Sequence, residues 1–342
     1  MKKLSTLTLG LLFAAGSAFA QSNDATVGQT GNDNDATVEQ TNAGSNSATV
    51  TQDGDENRVD LTQRNYGASG SAGHEATISQ DGDRNEADIL SQGGVGVNTV
   101  SLEQIGTGNY SQIDQFWGSN DAAVTQDGSD NDVLISHRGT FDSEASVTQI
   151  GSENDADILD GGQGTGPNTG TSSSIYQSGD NNIATITQFA DDNSASSWVS
   201  GNDNEVLQTQ SSADNGQRVE ITGDNNVYTV DQEVGSGNRL YVNSRGTGPG
   251  DNSSYAYDSD FTATQSGSNN LVSGSMGGTN NSLTITQMGD NNMVSGGLGL
   301  WDAAGFTIEG SNNVAVIDQQ SNGNSAVLST MGDGNTATIT QN

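Results

Sequence analysis

From residue 177 to 188 the chain reads QSGDNNIATITQ. Asn182, Ala184, Ile186 and Gln188 fall two apart, a spacing that places side chains on one face of a β-strand. Ile183, Thr185 and Thr187 take the opposite face. Residues 178–181 carry Gly, Asp and Asn, which tolerate positive φ, and this predicts a tight turn. The unit, Gln-x-Gly-x-x-Asn-x-Ala-x-Ile-x-Gln, has eleven residues from one glutamine to the next. Early and late copies are 31–40 (GNDNDATVEQ) and 332–341 (GDGNTATITQ). A short fixed period decides architecture before local propensity does.

A strand whose inward apolar residues are one alanine and one isoleucine cannot stand alone and must stack on its own copies. The expected fold is therefore all-β, a two-sided cross-β solenoid with two units, about 22 residues, in each coil. At a stacking distance of ~4.8 Å, Asn lies over Asn, Ile or Val over Ile or Val, and Gln over Gln. Buried amides can then donate and accept along the stack. The expected ladder residues include Asn34, Ala36, Val38, Gln40, Gln104, Asn109, Gln115, Gln177, Asn182, Ala184, Ile186, Gln188, Gln287 and Asn292. Counting units gives roughly 27 strands, about 13 coils and a body ~60 Å tall.

The register is interrupted near 64–73, 161–172, 245–254 and 299–305, and each insertion is expected at a turn, where a solenoid absorbs extra residues without breaking its ladder. By strand count, the early excursions follow even strands. Those at 245 and 299 follow odd ones, on the other edge. Residues 1–20 have the form of a secretory signal peptide: Lys2 and Lys3, an apolar stretch over 9–15, and Ala18-Phe19-Ala20 before the cut. The apolar stretch is too short to span a membrane. Residues 21–342 are expected to form one repeat solenoid with no further domain boundary.

Composition narrows the function. Hydrophobic residues are 30% and aromatics 5%, too few for an ordinary globular core of 342 residues. Net charge is −34. Without Lys2 and Lys3, seven arginines face 43 carboxylates, about −36. Such acidity keeps an exported subunit soluble, slows self-association until salt screens it, and argues against nucleic acid or anionic lipid as partner.

Catalysis has little to stand on: there is no cysteine, and a thin two-strand coil offers no pocket. Of the two histidines, His74 is expected in an inserted turn and His137 in a glutamine slot. No catalytic residue, metal site or cofactor is expected. Turn carboxylates such as Asp53-Gly54-Asp55, Asp81-Gly82-Asp83 and Asp127-Gly128-Ser129-Asp130 resemble calcium ligands in type. The eleven-residue period nevertheless differs from the nonapeptide of calcium-binding β-rolls. They are expected to be solvated charges that discourage premature aggregation. Outward threonines such as Thr185, Thr187, Thr284 and Thr286 form hydroxyl rows, and Trp117, Trp198 and Trp301 lie at turns or outward sites.

The repeats resemble those of the curlin family, the subunits of curli, extracellular amyloid fibres of bacterial biofilms. The family pattern Ser-x5-Gln-x-Gly-x-x-Asn-x-Ala-x3-Gln is followed by Gln177, Gly179, Asn182, Ala184 and Gln188. It is followed again by Gln104, Gly106, Asn109 and Gln115, and over 282–294 by Gln287, Gly289 and Asn292. The resemblance implies a secreted, cell-surface subunit that crosses the outer membrane unfolded through dedicated export machinery. It would stack end to end on a nucleator into a homopolymer with an adhesive or aggregating role. Residues 21–24 leave no room for the Gly-rich export segment such subunits carry. The expected contact residues are Asn23, Val27 and Gln29 at one end and Asn335, Ala337, Ile339 and Gln341 at the other. The alternative is a soluble monomeric solenoid adhesin or a calcium-stabilised surface-binding module.

Overall fold

The computed structural model describes residues 23–42, 45–66, 73–93, 96–161, 168–244, 255–295 and 305–342. The expected signal peptide, the whole of 245–254 and Trp301 lie outside the described residues. So do most of the other insertions (67–72, 162–167 and 296–304).

Period-two alternation yields strands that alternate between two parallel walls. Asp24–Thr30, Ser47–Asp53 and Glu75–Asp83 begin the first wall; Asp35–Asn42, Arg58–Asn65 and Glu86–Gly93 begin the second. Among the described residues each wall runs through 13 successive rungs, so the chain is a two-sided all-β solenoid. The pairing sets like on like: Val27 pairs with Val50 and Gln29 with Gln52 in the first wall, and Ile158 with Ile186 in the second. Inward aliphatics such as Val50, Ile78, Ile135 and Ile186 are buried between the walls.

The turn glycines are required by the stacking. At Gly128, φ is +142°, and an added Cβ would fall 1.8 Å from the carbonyl oxygen of Gly151 one coil on. An L-residue there meets both a disfavoured backbone and a hard clash.

The unit count needs correction. Met293–Val294 and Phe306–Glu309 both pair with Leu271–Met276, through Val272↔Val294 and Gly274↔Phe306. They are two halves of one first-wall rung, so the described residues hold one strand fewer than counted. The insertion near 299–305 therefore splits a strand instead of lengthening a turn, and the parity assigned to it does not hold. Phe306 fills the rung at the split. It stacks on Phe261 at 5.7 Å, and Phe261 lies 5.5 Å from Tyr228. Gly274 makes the room, since a Cβ there would lie 2.3 Å from the Phe306 ring.

His74 also moves. It is fully buried in an asparagine slot, not in an inserted turn: its amide donates to Asn46 Oδ1 at 2.8 Å, and its Nδ1 accepts from the Asn98 amide. A ring nitrogen takes over the acceptor role of an asparagine oxygen, so the column continues.

Candidate functional site

The amide ladders are the most regular chemistry in the molecule. In the first wall Gln29, Gln52, Gln80, Gln104, Gln126, Gln149 and Gln177 form one chain, each Nε2 donating to the next Oε1 at 2.7–3.0 Å. The column then turns apolar: Gln177 is followed in register by Val199, which is followed by Ile221. The second wall is complementary. There Gln210, Gln232, Gln265, Gln287, Gln319 and Gln341 are linked at 2.7–3.0 Å. Neither column runs unbroken: Val199 and Ile221 occupy slots in the first, and Ser91, His137 and Asp160 in the second.

Asparagines clamp the turns. Asn34, Asn109 and Asn182 each accept a backbone N–H from the next coil on Oδ1, and each Nδ2 donates to the glycine carbonyl one coil on. Asn292 accepts the Asn324 amide in the same way. Ala184 and Ile186 are fully buried, and Ala36 and Val38, near the end, partly so. Turn acids serve the same stacking: Asp55 Oδ1 accepts the Asn32 amide at 2.7 Å, and Asp83 Oδ1 accepts the Asp55 amide at 2.9 Å. Among the described residues no group of three or more His, Asp or Glu is placed to hold a metal ion.

The second-wall glutamine column is interrupted by Ser91, His137 and Asp160, with Gln115 standing between Ser91 and His137. Gln115 accepts from Ser91 Oγ and donates to the backbone oxygens of Thr99 and Asn120. His137 Nε2 lies 3.4 Å from Asp160 Oδ2, both side chains being fully buried. Asp160 also accepts from Thr171 and Ser173, and the Gln188 amide lies 3.2 Å from its Oδ1. Removing one member of a buried polar pair leaves the other without compensation. Replacing both by glutamine would join Gln115 to Gln188 in one ladder and is expected to leave the monomer at least as stable, while either single replacement lowers stability. Guanidinium midpoints of the four proteins check this.

The acidic outer face of the second wall carries a pH response. The Asp157 carboxyl is pushed up to about 6, first by partial burial and then by Asp155 and Asp132, both also raised. The folded state thus holds this proton more tightly than the unfolded chain, and stability falls as pH rises from about 4 through 6. Asp157→Asn should add about 1 kcal/mol at pH 7, allowing for its half exposure, and nothing at pH 3. Denaturation curves at the two pH values measure the difference.

The two end faces hold the remaining expected residues. Asn23, Val27 and Gln29 lie at the first rung of the first wall; Asn335, Ala337, Ile339 and Gln341 lie at the last rung of the second. The two sets are on different walls and so do not continue one another. In the same column as Gln341 the first coil presents Gln40, with Asn34, Ala36 and Val38 beside it. Among the described residues nothing pairs with the outer edge of either terminal coil. No helix among them is long and apolar enough to cross a membrane.

Comparison with protein families agrees with this repeat. The model of the curlin associated repeat matches residues 20–41, 172–196 and 299–342. A search of curated proteins found no match. The matched segments include the first coil, the centre and the last coil, and the intervening rungs keep the same register. The chain thus carries curlin associated repeats in these three segments.

Proposed function

We propose that this chain is the structural subunit of an extracellular curli-like fibre of a bacterial biofilm matrix. Residues 1–20 direct its export, and subunits then join end to end as a homopolymer that binds cells together. The family reading implies outer-membrane export machinery and a nucleating partner. The observation that carries the proposal is the match between the two uncovered end coils.

If the last coil is followed by the first coil of another subunit, Ala337, Ile339 and Gln341 meet Ala36, Val38 and Gln40. On the other wall, Ala326, Leu328 and Thr330 meet Ala25, Val27 and Gln29. Gln341 accepts from Gln319 and donates to Ser325, which leaves one N–H for Gln40. Gln40 donates to Asp24 and Gln63, so its Oε1 is open to accept. Thr330 Oγ1, buried without a partner, would meet Gln29.

Charge favours the same polarity. The outward acids of the first coil, Asp24, Asp35 and Glu39, would stack on Ser325, Thr336 and Thr340, so no carboxylate lies on another. Asp333, in the last turn, would lie under the neutral Asn32.

Thioflavin fluorescence and electron microscopy of the purified mature protein, with and without chelator, test the proposal. Fibres that form regardless of chelator are expected. A persistent monomer, or one that needs calcium, would replace the fibre reading with that of a soluble adhesin.

A further inference from the structure

Trp117 occupies a turn position that carries glycine in several repeats. Two residues after Gln104, Gln265 and Gln287 stand Gly106, Gly267 and Gly289, with φ of +112°, +113° and +95°. At the same offset from Gln115 stands Trp117, with φ of +80°. Ala190, Ser212 and Ser321 replace the same glycine elsewhere on this edge, and none of them has positive φ. The tryptophan keeps the left-handed turn, a strained conformation for a bulky residue.

The neighbouring coils are adapted to it. In the next coil the register shifts between His137 and Thr140, so that three residues span what two span at Gln115–Trp117. This is a bulge, the device that re-aims side chains near functional sites. In the coil before, Gly93 makes room for the Trp117 carbonyl, which an added Cβ would approach to 1.7 Å. None of this buries the indole, which is 55% exposed.

Its surroundings are aromatic and polar. The Phe141 ring lies 5.9 Å away at 60°, and Arg138 sits over Phe116 at 5.5 Å. Arg138 donates to Asp114 at 2.8 Å, and Gln112 donates to the same carboxylate at 3.3 Å. Exposed tryptophan beside phenylalanine and arginine is the composition of interaction surfaces, not of solvated turns.

Charge excludes anionic ligands. A chain of net charge −34 repels anionic polymers, and Arg138 is already neutralised by Asp114. The patch suits a neutral molecule with an apolar face and many hydroxyls. We infer that the Trp117 corner binds a neutral polysaccharide. The C–H face of a pyranose ring would lie on the indole, and hydroxyls of the same chain would bond to the planar polar groups of Arg138 and Gln112. The inference is independent of fibre formation.

Native electrophoresis of the monomeric protein through gels containing hydroxyethyl cellulose or pullulan tests it. Retardation by one of these glucans is expected, with affinity reduced at least about tenfold in Trp117→Gly, as loss of a hot-spot side chain gives. That variant restores the repeat glycine, so it should stay folded and elongate as the parent does. Trp198→Phe, on the flat face of the first wall, should bind normally. Equal retardation of Trp117→Gly, or none of the parent on either glucan, would overturn the inference. So would concentration-dependent slowing in plain gels that Trp117→Gly abolishes, because that would assign the surface to a second copy of the chain.

Discussion

Alanine at Gly332 is expected to leave the monomer folded and to stop it elongating. Gly332 has φ of +94°, and the nearest atom to an added Cβ is Asn335 Nδ2 at 3.9 Å. At Gly310 and Gly278, one and two coils earlier, the same Cβ would lie 2.2 Å and 1.8 Å from the carbonyl oxygen of the glycine one coil on. In a stack of subunits Gly31 takes that place above Gly332. The monomer loses about 1 kcal/mol to backbone strain. The joint meets a hard clash, and seeded elongation should fall at least about tenfold, the effect of ~1.4 kcal/mol of lost contact. Gly334→Asn is the control: φ is +70°, nothing lies near its Cβ, and asparagine holds such turns at Asn181 and Asn312. It should elongate normally.

Alanine at Gly128 is expected to fail at an earlier stage. Its Cβ would fall 1.8 Å from the Gly151 carbonyl oxygen inside the same molecule, with φ at +142°. Neither coil can yield without separating Asn109 and Asn131 from the glycine carbonyls they hold. A loss of about 3 kcal/mol or more is expected, and a denaturant midpoint measures it. Together the two substitutions separate folding from assembly: the same change is destructive within the stack and selective at its end.

Much of the architecture is legible in the sequence because each unit repeats the same physical solution. Period two assigns Asn182, Ala184, Ile186 and Gln188 to the interior, and stacking gives their amides partners without any long-range information. The misreadings have local causes. Val294 and Phe306 look like two strands because each half carries the alternation of a full unit, and only pairing with Leu271–Met276 shows one rung. Gly274 in an isoleucine slot was the available signal that a large side chain from the next coil fills it. His74 looks like a loop residue because no repeat pattern lists imidazole among the asparagine slots. Trp117 is hidden by the glycine that follows it; counting from Gln115 instead of from Gly118 reveals its place.

The ends were harder to read than the middle. The first and last units suggest partners by chain order, Gln29 and Gln341, whereas alternation between walls pairs Gln341 with Gln40. Parity, not sequence similarity, decides which residues share a column.

A reconstruction of the assembled fibre at a resolution that separates rungs shows whether the end coils mate. Both walls are expected to continue at ~4.8 Å across the subunit boundary, with Gln341 beside Gln40 and Thr330 beside Gln29. Subunits joined through their flat faces, or a boundary at which either wall changes direction or register, would contradict this expectation.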